Sequence, residues 1–320
     1  MKLWPFIATA NRACSLLYSY IKEHSSGMWL LPVNVCPDVP LTFALARVPF
    51  SFVDINPQTL CIDIQEVLRL INKEPGKYAG VVYVRTYGVL KESGHLFQSI
   101  KAIDDRISII DDRCLCLPEI SPEFWNADMI LYSTGHCKQI DLDGGGLAYY
   151  SSETEYRIDN NLFYDGTDEE ELYKKAFEKG EPFQRVPKGW LKMDSYDKPS
   201  EYLERIETVI PSRNKQREEI NLIYYRNLPS TIQMDPAFQQ WRFNIRVPSH
   251  LKDTILCELF KNGLFASSHY HSVNRLFDNR RYVISDQLFE SIINLFNDKY
   301  YTLNKAKRTC DIINNVLNKN

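Results

Sequence analysis

The sequence predicts an α/β protein: a large domain built on a mostly parallel sheet with helices on both faces, followed by a small C-terminal α+β domain. Two patterns carry this. From Ala13 to Tyr150 short apolar runs alternate with segments of helical period, and strands separated by helices of that length belong to parallel sheets covered on both faces. From Trp241 onward the pattern changes to strand, helix, strand and a closing helix. The expected division is 1–200 for the large domain, 201–230 for a connecting helix and 231–320 for the small domain, in keeping with ~100–200 residues per domain.

In chain order, Ala13 to His24 reads as a helix, Met28 to Val33 as a buried strand and Val39 to Arg47 as a helix. Phe50 to Ile55 reads as a strand, and Ile62 to Asn72 as a helix with Leu68, Leu70 and Ile71 on its apolar side. Gly80 to Arg85 is a β-branched strand, and a helix follows near Leu96 to Ile103. Strands are expected at Ile107 to Asp111, Met129 to Ser133 and Gly145 to Tyr150. The acidic stretch Asp168 to Glu171 reads as a solvated helix start. A long amphipathic helix is expected from Pro199 to about Tyr225. Beyond it come a helix at Leu251 to Asn262, a strand at Leu264 to Tyr270 and a helix at Thr302 to Asn318.

The chain has 320 residues, 44% hydrophobic and 25% charged, which excludes a disordered or fibrous protein. Lys and Arg number 38 against 41 Asp and Glu, a net charge of −3, so nothing draws the chain to nucleic acid or to an anionic membrane surface. The most apolar stretch, Met28 to Val53, is broken by Asn34, Asp38, Arg47 and prolines, and falls short of the roughly 20 apolar residues of a membrane span. The N-terminus does not fit a signal peptide, so a cytoplasmic protein is expected. Of eight cysteines only Cys114 and Cys116 are close, and a lone C-x-C reads as packing thiols more readily than as a zinc site.

In an open α/β sheet the reactive groups gather beyond the carboxyl ends of the strands. Three such places stand out. The strand ending in Asp111-Asp112 points two adjacent carboxylates to opposite faces, so one enters a site while the other turns away. The next strand ends in the loop from Ser133 to Gly146, which carries Lys138 and three consecutive glycines that permit close backbone approach. A lysine buried there beside a cofactor is a candidate nucleophile, and a solvated lysine at a turn is the plainer reading. Ala8 to Ala13 leads into the first helix, whose free N–H groups and dipole favour a phosphate. A helix-start anion site, a strand-end carboxylate and a strand-end lysine are together the parts that hold pyridoxal 5'-phosphate (PLP).

With these residues the chain resembles the DegT/DnrJ/StrS family of sugar aminotransferases, which are fold-type I PLP enzymes. The resemblance runs in order through Asn11-Arg12-Ala13, Leu31 to Pro37, Phe52 to Ile55, Arg85 to Gly88, Ile110-Asp111-Asp112 and the Ser133 to Gly146 loop. It returns at Ser268-His269-Tyr270 and Ile293-Asn294-Leu295. It implies that Lys138 is the Schiff-base lysine, that Asp112 sits under the pyridine nitrogen, and that Ser133 with the Arg12 and Ala13 backbone holds the phosphate. The implied reaction transfers an amino group from glutamate to a nucleotide-linked keto-sugar, in a homodimer with its sites at the interface. Tyr87, His136 and His269 are candidates for substrate contact. The chain differs from the family in placing Asn34 where an aromatic stacks on the cofactor and Leu115 where Gln or His is expected. The family's partner-subunit motif is not recognisable between Trp190 and Tyr202.

Two alternatives remain open. One is a homologue that keeps the fold and the dimer without the chemistry. The other takes Asp141 and Asp143 as the metal-binding D-x-D of a glycosyltransferase. His269 and His271, expected on one face of a strand, are weak metal candidates.

Overall fold

The computed structural model describes residues 6–151, 198–277 and 280–319. The stretches 168–171 and 190–197 lie outside the described residues. Seven strands form the large sheet: β1 (Phe6–Ala10), β2 (Met28–Pro32), β3 (Phe50–Val53), β4 (Tyr78–Val84), β5 (Ser108–Asp112), β6 (Met129–Ser133) and β7 (Gly146–Tyr150). Their order is β1-β7-β6-β5-β4-β2-β3. Strands β2 to β6 are mutually parallel, and β7 runs antiparallel to both β6 and β1. The carboxyl ends of β1 to β6 and the amino end of β7 therefore meet at one edge of the sheet.

These strands are apolar on both faces because layers cover both. Val81, Tyr83, Ile109 and Ile130 belong to one core, and Val82, Val84, Ile110 and Leu131 to the other, as a two-residue period requires. Helix α1 (Ala13–Glu23) and α2 (Asp38–Ala46) accompany the second core, while α3 (Ile64–Lys73) and α4 (Gly94–Ile103) bury their apolar faces in the first. In α3 the buried residues are Ile64, Val67 and Ile71, so Leu68 and Leu70 flank the packed stripe rather than form it. Its N-cap Asp63 accepts a hydrogen bond from the Gln65 amide at 3.0 Å.

Helix α5 (Pro199–Asn227) links the two parts: Tyr202 and Ile206 enter the first core, and Ile220 and Tyr224 enter a third. That third core lies between a small antiparallel sheet, β8 (Phe243–Arg246), β9 (Ala266–Ser267) and β10 (Ile292–Leu295), and helices α6 (Ser249–Lys261) and α8 (Leu303–Leu317). Between β9 and β10 lies α7 (Val283–Ser291).

Four elements differ from the sequence reading. The segment 6–10 is an edge strand, too short and too open on one face to show alternation. The strand expected at Leu264 to Tyr270 is only Ala266–Ser267. Helix α7 runs directly into β10 with no Gly or Pro between them, so no breaker marks either element.

The C-terminal segment is fastened to the large sheet by Asp54, just past β3. Its carboxylate accepts from the amides of Ile284 and Ser285 at 3.0 Å each, and so caps α7 from outside that helix. Asp54→Ala is expected to cost ~1–2 kcal/mol. Chemical denaturation of the two proteins checks this, and unchanged stability would show that the cap carries no weight.

Candidate active site

At the sheet edge described above, Ala10 pairs with Gly146, Gly146 pairs with Ser133, and Arg12 bridges to Gly145. The chain leaves β1 through Arg12 in extended conformation and turns directly into α1, whose first turn therefore rests on the start of β7. Contact there is so close that a Cβ at Gly146 would lie 2.5 Å from the Ala13 nitrogen. Arg12 makes no side-chain cap bond to its helix, and its guanidinium instead reaches Asp38 at 3.4 Å. Ser133 Oγ accepts from the Gly135 amide at 3.3 Å and lies 3.5 Å from the Gly145 carbonyl. The result is a helix N-terminus beside a strand-end hydroxyl, the arrangement that receives a phosphate.

The adjacent carboxylates at the end of β5 divide as expected. Asp111, fully buried, faces the first core and accepts from Arg85 Nε at 2.6 Å, Arg85 Nη2 at 2.8 Å and Arg113 Nε at 2.9 Å. Asp112 faces the α1 side, where its carboxylate accepts from the Cys114 amide at 2.9 Å. Burial raises its pKa, opposed by the hydrogen bonds from Cys114 and by the charge of Lys138.

Lys138 comes to the same place from the loop after β6. The loop is tied down on several sides: Thr134 and Tyr202 hydroxyls lie 2.5 Å apart, Trp241 Nε1 donates to the Cys137 carbonyl at 2.8 Å, and Arg217 Nη2 donates to the Gln139 carbonyl at 3.1 Å. Lys138 lines a cleft of about 430 Å3 together with Cys36, Pro37, Trp241, Arg242, His269 and Tyr270. Burial lowers its pKa, but surrounding negative charge outweighs burial and the net shift is upward; the contributors are Cys114, Cys36, Asp112 and Asp38. Burial holds the Cys36 thiol up at about 12 and pushes Cys114 well up, so both are neutral at neutral pH. Among these groups Asp112 and Asp38 are the carboxylates that favour a charged Lys138.

The remaining candidates separate into rim, wall and support. His136 is exposed on the rim, with Nδ1 3.6 Å from Asp141. Tyr87 is fully buried and its hydroxyl donates to the His269 carbonyl at 2.6 Å, so it supports the wall of the cleft rather than lining it. His269 lines the cleft, its ring 5.5 Å from that of Trp241. Beyond β9 it shares no strand face with His271, whose ring lies instead 4.2 Å from Phe289. Asp141 accepts from the Cys137 and Asp143 amides at 3.1 and 2.9 Å, and Lys299 reaches Asp141 at 3.2 Å and Asp143 at 3.0 Å. The D-x-D pair thus closes the lysine loop and neutralises Lys299, which opposes a role as a metal site. Asn34 donates to the Leu60 carbonyl at 3.1 Å inside the protein, and from its loop it is Cys36 and Pro37 that reach the cleft. Leu115 is buried in the first core, away from the cleft.

Burial, then the charges of Arg242 and Lys138, lowers the His269 pKa from its ordinary 6.5 to about 3. A folded-state pKa below the unfolded value contributes stability that is present above 6.5 and lost as pH falls toward about 3. Thermal unfolding between about pH 7 and about pH 4 is expected to show a shallower acid loss in His269→Asn than in the parent protein. Parallel curves would contradict a buried neutral imidazole.

Comparison with known proteins bears on the fold. No protein-family model matches the chain, and no curated protein matches it in sequence. Solved structures do match it in fold. The PLP form of Spr1654 from Streptococcus pneumoniae, described as a sugar aminotransferase, is 18% identical with a TM-score of 0.74, covering 98% of this chain and 88% of that one. A DegT DnrJ EryC1 StrS aminotransferase from Brucella abortus is 13% identical with a TM-score of 0.66, covering 97% and 85%. DesI, solved in the presence of its TDP-sugar product, is 13% identical with a TM-score of 0.73, covering 96% and 79%. At these identities the likeness is one of fold, and the chain folds as sugar aminotransferases of the DegT/DnrJ/EryC1/StrS type do.

Proposed function

We propose that this protein is a PLP-dependent aminotransferase that moves an amino group from glutamate to a nucleotide-linked keto-sugar. The observation that carries the reading is the convergence of Lys138, Asp112 and the α1 N-terminus with Ser133 on one edge of the sheet. The donor set fits the cofactor: N–H groups and a hydroxyl for its phosphate, a carboxylate for its ring nitrogen and an amine for its aldehyde. Bound there, the cofactor supplies an aldehyde that carries the amino group and a ring that withdraws electrons from the reacting carbon.

The chain's own residues have three tasks. The first turn of α1 and Ser133 Oγ bind and orient the phosphate. Asp112 places a carboxylate in a buried position, where its charged form strongly favours a positive partner. A cation brought against Asp112 competes with the Lys138 ammonium for that carboxylate, lowers the lysine pKa and frees its amine. Lys138 Nζ would then be placed to take a proton from the reacting carbon of the substrate and to return it.

Glutamate as donor rests on the family resemblance, and a nucleotide-linked acceptor is supported by the TDP-sugar product of DesI. The same reading includes a homodimer with the sites at its interface. The test is to load the protein with PLP, add glutamate and follow both the cofactor absorbance and the release of 2-oxoglutarate, then to add TDP-linked keto-sugars. A glutamate-driven spectral change reversed by a keto-sugar is expected. A cofactor-loaded protein indifferent to every amino donor would instead mark a fold that has outlived this chemistry.

A further inference from the structure

The peptide carbonyls on either side of Lys138 are held by one closed ring of hydrogen bonds. Trp241 Nε1 donates to the Cys137 carbonyl at 2.8 Å, and Arg217 Nη2 donates to the Gln139 carbonyl at 3.1 Å. Arg217 Nη1 donates in turn to the carbonyl of Trp241 itself, which closes the ring, and to Asn297 Oδ1 at 2.6 Å. Helix α5, the segment before β8 and the chain just past β10 are thereby joined to the lysine loop. Gln139 is fixed at its other end as well, where its Nε2 donates at 2.9 Å to the Leu115 carbonyl, three residues past Asp112. Arg217 is buried and forms no ion pair with a carboxylate among the described residues, whereas the buried Arg85 and Arg113 share Asp111. Burial is the main cause that lowers its pKa to about 10, so it stays charged at neutral pH. A buried guanidinium satisfied only by carbonyl and amide oxygens is costly to the fold. What it offers that no other side chain does is a rigid fork that reaches two carbonyls at once.

We propose that Arg217, acting with the Trp241 indole, is a positioning residue for Lys138. Clamping the carbonyls of residues 137 and 139 fixes the direction in which the lysine side chain leaves the loop, and ties that direction to the seat of the small domain. This rests on the aminotransferase reading, and it extends that reading to a residue outside the cleft. Arg217 does not line the cleft, so it acts through the backbone. A lysine stem is flexible, and a loop free to rock would spread Nζ over several positions. Misplacing a reacting group by about 1 Å costs up to ~100-fold in rate. Opening the ring at either arm releases the same segment, so the two arms are not expected to add.

The experiment compares the parent chain, Arg217→Lys, Trp241→Phe and the double variant. Asp54→Ala serves as a control that loosens the fold beside β3, at the far edge of the sheet. Hydrogen exchange in the peptide 133–146, which needs no cofactor, is expected to speed about 10-fold or more in either single variant and to hold in Asp54→Ala. In the PLP-loaded protein, the saturated rate of the glutamate-driven spectral change is expected to fall about 10-fold or more in either single variant. The half-saturating glutamate concentration of Arg217→Lys is expected to stay within about threefold, and the double variant to be no slower than the slower single. Faster exchange with an unchanged saturated rate would make the ring a structural tie only, and overturns the proposal. Exchange indifferent to both substitutions overturns it too, as do effects that multiply in the double variant. Should Arg217→Lys fail to fold, Trp241→Phe decides, since it opens the same ring from the other arm and keeps an aromatic side chain in place. If glutamate changes nothing in the loaded parent, the aminotransferase reading fails, and the positioning claim is then read from the pyridoxyl label that borohydride fixes on Lys138. A lower yield of label in both single variants upholds it, and equal labelling in parent and variants overturns it.

Discussion

Lys138→Ala is expected to lower kcat/KM for amino transfer by about 1000-fold or more, because on the proposed function one substitution removes both the amine for the cofactor and the base for the proton. Folding is expected to survive. The Lys138 side chain lines an open cleft, and its loop is held by other groups: the Trp241 indole, the Arg217 guanidinium and the Thr134–Tyr202 hydroxyl pair. Steady-state assays beside circular dichroism separate the two effects. A variant that keeps more than about a tenth of the activity would remove Lys138 from the chemistry.

The neighbouring carboxylates Asp111 and Asp112 are expected to give opposite phenotypes. Asp111→Asn leaves Arg85, fully buried, with no ion-pair partner among the described residues, and leaves the equally buried Arg113 with Glu119 alone, at 3.0 Å. Trp125 lies over both guanidinium groups, at 5.1 and 4.8 Å, and keeps water from replacing the lost partner. Breaking a buried ion pair from one side costs about 3–5 kcal/mol, which should appear as a large fall in unfolding midpoint. Asp112→Asn removes a charge that burial already penalises, so stability is expected to hold or rise slightly while activity falls by about 100-fold or more. Denaturant unfolding and initial rates on both variants check the pair. Equal stability losses would show that the two side chains do not divide between core and site.

That division was legible from sequence, since adjacent residues at a strand end must face opposite ways whatever the topology. The parallel strands were legible for a similar reason: Met28–Pro32, Tyr78–Val84 and Met129–Ser133 are apolar on both faces because both faces are covered. Lys138 and Ser133 followed from the loop beyond a predicted strand. Other parts depend on contacts distant in sequence. Asp54 is unremarkable until α7, about 230 residues later, places two amides on it. Arg242 lies against the rings of Trp241 and Phe296, the second of them distant in sequence. Asn34 occupies the position where the family pattern puts an aromatic, but the chain turns its amide inward to Leu60 and sends Cys36 to the cleft. Tyr87 looks like a substrate contact, yet its hydroxyl is spent on the His269 carbonyl, a pairing between residues 182 apart that no local pattern encodes.

The most direct test is chemical. The protein is incubated with PLP, treated with borohydride, digested, and its peptides analysed by mass spectrometry, with Lys138→Ala alongside. The expected result is a single pyridoxyl label on the peptide carrying Lys138, absent from the variant. A label on Lys252 or Lys299, or no label on any lysine, would contradict the assignment of Lys138 as the amine that holds the cofactor.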